Sequence, residues 1–109
     1  MTEIDEITNA LIKFRDERDW KQFHNAKDLS LAITIEAGEL LELFLWKNAE
    51  EAKVEKVKEE LADVFAFAFL LAEKYQFNVK EIVLDKIAKN AEKYTVDKAK
   101  GSARKYNEL

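Results

Sequence analysis

At 109 residues the chain is long enough for one domain with a modest core and too short for two. Hydrophobic residues make up 48% and charged residues 37%, with no proline, no cysteine and two glycines. This excludes disorder, a disulfide scaffold and thiolate metal sites, and favours helix throughout. The net charge of −4 speaks against a nucleic-acid polymer as partner, because neutralising its phosphates needs a surplus of Lys and Arg.

The acidic start Met1-Thr2-Glu3-Ile4-Asp5 does not read as a secretory signal. No apolar run approaches the ~20 residues of a membrane span, so a soluble cytoplasmic chain without membrane contact is expected. Ile4, Ile7, Leu11 and Phe14 recur at helical spacing and predict a first helix over about Glu3 to Arg18. A loop with Trp20, Phe23, His24 and Asn25 follows. A second helix is expected from Asp28, as its N-cap, to about Trp46. Asn48 and Glu51 form a capping-box-like start for a third, reaching about Tyr75. Asn78 is placed to cap a fourth over Val79 to about Tyr94, and the tail from about 95 to 109 lacks apolar periodicity. With short connections the expected fold is an all-α, antiparallel four-helix bundle forming one domain over 1–109.

At about 100° per residue, Leu29, Leu40 and Leu43 fall within about 40° of Glu36 on the second helix. Glu39 and Trp46 lie on one flank of that apolar stripe. On the third helix Glu60 and Asp63 share a face with Val64, Phe67, Leu70 and Leu71. A single Glu-x-x-Glu is usually a solvated face, as Glu50, Glu51 and Glu55 are expected to be. Two pairs inside apolar stripes are different, because a carboxylate there needs a proton, a partner or a metal. Lys53 and Lys56 are too few to pair all four. Mg²⁺, a hard cation with oxygen ligands, resolves the conflict. Di-iron bundles use Glu-x-x-His, which is absent, and one histidine is too few for a typical zinc hydrolase.

These residues resemble the all-α nucleotide pyrophosphohydrolases of MazG type, whose Glu-x-x-Glu…Glu-x-x-Asp signature is matched by Glu36-Ala-Gly-Glu39 and Glu60-Leu-Ala-Asp63. The chain is most similar to the dCTP pyrophosphatase branch through Glu17 to His24, Glu39 to Trp46, Asn90 to Tyr94 and the tail from Gly101. The resemblance implies Mg²⁺-dependent hydrolysis of a nucleoside triphosphate to monophosphate and pyrophosphate. Glu36, Glu39, Glu60 and Asp63 would be the metal ligands and catalytic acids. Trp20, His24, Trp46 and Phe67 would line the base and sugar pocket, with Phe67 where vertebrate members carry tyrosine. Lys86, Asn90, Lys93 and Tyr94, with Lys105 and Tyr106 from the tail, would lie near the phosphates. Lys86, Asn90 and Lys93 also share one helical face by spacing.

Leu11 stands where vertebrate members have histidine, and Tyr94-Thr95 where members often read Tyr-Pro. Such changes bear on the base, leaving dUTP or a damaged nucleotide as alternative substrates. A non-catalytic helical nucleotide-binding module is the rival reading. Leu41 and Leu45 lie opposite Glu36, and Phe65 and Phe69 opposite Glu60. Helices apolar on two sides need burial on both. A homo-oligomer is therefore expected, and the resemblance implies a tetramer.

Overall fold

The computed structural model describes residues 1–109, which form helices, turns and no strand. Four long helices, α1 (Glu3–Glu17), α2 (Ala26–Glu42), α3 (Val54–Lys74) and α4 (Val79–Lys93), precede a single-turn α5 (Val96–Ala99). This bears out the all-helical reading. The backbone divides into two compact units, Met1–Gln76 and Phe77–Leu109.

The first unit begins with a reciprocal cap: the Thr2 hydroxyl accepts from Asp5 N–H, and the Asp5 carboxylate accepts from Thr2 N–H, both at 3.1 Å. α1 ends by tightening, with the Arg18 and Asp19 amides donating to the carbonyls of Arg15 and Asp16. Asp19 then takes φ +56°, a left-handed conformation that Asp tolerates better than most residues. Its carbonyl and carboxylate accept from the Gln22 amide, which fixes the 3₁₀ turn Lys21–Phe23. Trp20 is set edge-on against Phe14 at 5.7 Å, and the Arg18 guanidinium lies 3.7 Å over the Phe14 ring.

Asn25, not Asp28, caps α2, accepting from the Asp28 N–H at 2.9 Å. Asp28 instead accepts from the Asn25 side-chain amide at 2.8 Å. The helix also stops before Trp46. From Leu43 onward the amides bond three residues back, and Trp46 turns the chain at φ +61°. Asn48 and Glu51 flank only a 3₁₀ turn, because Ala52 and Lys53 are extended and restart the chain as α3.

Leu29 and Leu70 line one pocket, while Glu36, about two turns further along α2, meets Glu60 and Asp63. α2 and α3 therefore run antiparallel. Ile7 and Leu11 line a groove with Ala62, Phe65, Ala66 and Phe69, and Arg15 reaches Glu73, so α1 runs parallel to α3. The buried apolar side chains are Leu29, Leu70 and Ala72, a small core for the apolar content.

In the second unit Asn78 caps α4 as expected, accepting from Glu81 N–H at 2.9 Å. Residues 95–109 hold α5 and a 3₁₀ turn, Tyr106–Glu108. Gly101 between them takes φ +78°, which suits glycine.

Candidate active site

The i,i+3 spacing of each acid pair becomes one cluster because α2 and α3 are antiparallel. One carboxylate oxygen each from Glu36, Glu60 and Asp63 lies within 4.8 Å of the others. Glu36 and Glu60 are half-buried, whereas Glu39 and Asp63 are exposed. The buried Oε2 atoms of Glu36 and Glu60 have no hydrogen-bond partner.

Crowding of like charge shows in the protonation. The Glu36 carboxyl is pushed up to about 7, first by the adjoining Glu39 carboxyl, then by burial, then by the charges of Glu39 and Asp63. Glu60 is raised too, first by burial and then by the charge of Glu39. Glu39 therefore belongs electrostatically with the other three acids. Orphaned oxygens, like-charge repulsion and an all-oxygen donor set fit a hard divalent cation. Glu36, Glu60 and Asp63 would hold it, with Glu39 at the rim.

A groove of about 410 Å³ runs from these acids. Glu36 and Asp63 form part of its wall together with Leu11, Phe14, Ala66, Phe67 and Leu70, and Arg15, Trp20 and His24 line it as well. His24 packs edge-on to Phe67 at 6.4 Å. Burial lowers its pKa, and the charges of Arg15 and Lys74 lower it further, so the ring is neutral at pH 7. Its Nδ1 is buried without a partner. Thus Trp20, His24 and Phe67 meet along one apolar slot with few polar groups.

Trp46 does not join them: it is 99% exposed. In the second unit Lys93 lies 4.9 Å over the Tyr106 ring, and Tyr94 meets Tyr106 edge-on at 6.1 Å. Lys105 precedes the Tyr106–Glu108 turn. Lys86 is exposed and Asn90 half-buried on α4. Sequence reasoning missed Arg15, which is 6% exposed in the groove wall. Set among Asp16, Glu17 and Arg18, it reads as part of a solvated helix end, and only the apolar residues at i−4 and i−1 hint otherwise.

The dCTP pyrophosphatase 1 of Bos taurus is 36% identical over 97% of this chain and 68% of its own length. The Homo sapiens dCTP pyrophosphatase 1 is 36% identical over 97% of this chain and 67% of its own length. A crystal structure of a pyrophosphatase from Archaeoglobus fulgidus DSM 4304 superposes with a TM-score of 0.81 at 34% identity, covering 87% of this chain and 94% of that one. Residues 31–109 match the MazG-like family, a span that includes all four clustered acids. With the carboxylates gathered between antiparallel helices and likeness along nearly its whole length, this chain belongs to the MazG-like family.

Proposed function

We propose that the chain hydrolyses dCTP, or a modified dCTP, to the monophosphate and pyrophosphate with Mg²⁺ as its cofactor. It is an enzyme, a nucleoside-triphosphate pyrophosphohydrolase, as its family and its relatives named for that activity indicate. The observation that carries the reading is the convergence of Glu36, Glu60 and Asp63, two of them with orphaned buried oxygens. When bound, Mg²⁺ supplies neutralisation of phosphate charge and a more acidic water.

The chain's own groups do the positioning on which phosphoryl transfer mainly depends. Glu36, Glu60 and Asp63, with Glu39 at the rim, would hold the cation, and a carboxylate among the four would take the proton of the attacking water. Trp20, His24 and Phe67 hold the base and sugar in the apolar groove and exclude water around them. Trp46, which stands apart from the groove, is assigned to the nucleoside on the family resemblance alone. Lys86, Asn90, Lys93, Tyr94, Lys105 and Tyr106 are assigned to the phosphates on the family resemblance. Residues 1–109 work as one MazG-like domain in a cytoplasmic homotetramer, whose substrate is the free nucleotide. The exposed Leu41, Leu45 and Phe65 support the oligomer. No helix is long and apolar enough to cross a membrane.

A panel of triphosphates, modified ones included, incubated with Mg²⁺ tests the reading. Pyrophosphate and dCMP should appear together, fastest from dCTP. Glu36→Gln and Asp63→Asn should each reduce the rate at least about 100-fold with the far-ultraviolet circular dichroism unchanged. Inorganic phosphate and a diphosphate as products would overturn the cleavage site.

A further inference from the structure

The groove contains one permanently charged side chain for which pyrophosphate release has no use. Arg15 is 6% exposed, and burial of a guanidinium is unfavourable unless its donors are satisfied. Asp16 accepts from Nε at 2.8 Å, and Glu73 accepts from Nη1 at 3.4 Å. The second contact is longer than the 2.7–2.9 Å or so of a strong charge-assisted bond. Neither carboxylate engages Nη2, so the guanidinium of Arg15, which lines this groove and an adjoining one shared with Glu73, keeps donating capacity.

Position along the fold says what those donors can meet. Glu73, which anchors Arg15, lies ten residues beyond Asp63 on α3, about 15 Å along its axis. Arg15 thus belongs to the far end of the groove that Glu36 and Asp63 open. Its neighbour there is His24, with the unpartnered buried Nδ1. Phe14, Ala66, Phe67 and Leu70 between the two ends offer apolar surface. A ligand with its phosphates at the acids therefore brings its base to Arg15.

We infer that Arg15 selects the base, donating to the adjacent O2 and N3 acceptors of cytosine. This rests on the pyrophosphohydrolase reading above and deepens it. Guanidinium is donor-only and planar, so it matches two neighbouring acceptors on one edge. Uracil and thymine present N3–H at the second position, placing donor against donor. The cost of that mismatch is the source of selectivity.

Two variants test it: Arg15→Lys, which keeps the charge and loses the fork, and the double variant Arg15→Leu with Glu73→Leu, which leaves no unpaired buried carboxylate. Melting curves establish that each is folded; should the double variant fail to fold, Arg15→Lys carries the same measurements. The readouts are kcat/KM for dCTP, dUTP and 3-deaza-dCTP, and Kd for the α,β-imido analogues of dCTP and dUTP. The preference for dCTP over dUTP should fall at least about tenfold in kcat/KM and in Kd. The penalty for replacing N3 by CH, expected in the wild type, should disappear. A preference unchanged in a folded variant, or no preference in the wild type, overturns the assignment. A wild type that cleaves no triphosphate sinks the hydrolase reading instead, while the two imido-analogue affinities still decide the role of Arg15.

Discussion

Glu36 ionises against the grain of its surroundings, since Glu39 adjoins it, burial removes water and Asp63 adds like charge. Its pKa is about 7 in the folded chain against an ordinary 4.5, so between those values the native state binds more protons than the unfolded one. Glu36 therefore makes the metal-free protein lose stability as pH rises from about 4.5 through about 7; Glu60, also raised, adds in the same direction, and His24, whose pKa is lowered, opposes them. Denaturant melts in EDTA at pH 5.5 and pH 8 should show the lower pH to be the more stable. Glu36→Gln should flatten that slope, and Mg²⁺ should remove it by compensating the carboxylates. A slope of opposite sign in EDTA would contradict the electrostatic account. The pairing of these acids was legible because i,i+3 spacing on an apolar stripe is a property of one helix. The burial of Arg15 was not, since it follows from packing against α3, where Glu73, its second counter-charge, stands 58 residues away.

At the scale of elements, capping shows how local chemistry and packing share the decision. The stretch Asn25-Ala26-Lys27-Asp28 holds two good cap residues one turn apart, and either can accept from an amide. The chain uses Asn25, which makes Asp28 the third helical residue and its amide the one satisfied. That register turns Leu29 inward, where it is 2% exposed. Asn25→Ala should lower stability by about 1 kcal/mol, read as a fall in denaturation midpoint, and Asp28→Ala by less. Equal losses would mean that the cap is not fixed. Asn48 and Glu51 fit a capping pattern yet open only a 3₁₀ turn, because Ala52 and Lys53 leave helical geometry before α3 begins. A sequence pattern states which amides can be satisfied, and the path of the chain decides which helix uses it.

For the molecule as a whole, apolar surface outruns core. Ile35, Leu41 and Leu45 of α2 and its end, and Phe65 of α3, are exposed, and Phe65 stacks on Phe69 at 6.0 Å. Trp46, a bulky residue at positive φ, is 99% exposed, and such strain persists where surroundings enforce it. Light scattering at micromolar concentration should give a mass several times that of one chain. Leu41→Lys with Phe65→Lys should lower that mass and the melting temperature together. A wild-type monomer would end the oligomer proposal. The four long helices and the two acid pairs are legible in the residues alone, because apolar periodicity and i,i+3 spacing act within single turns. Packing in three dimensions is what makes Glu36, Glu60 and Asp63 meet, buries Arg15 beside His24, and leaves Trp46 apart from the groove. Those outcomes depend on how α1, α2 and α3 pack, and on where α2 gives way to a turn.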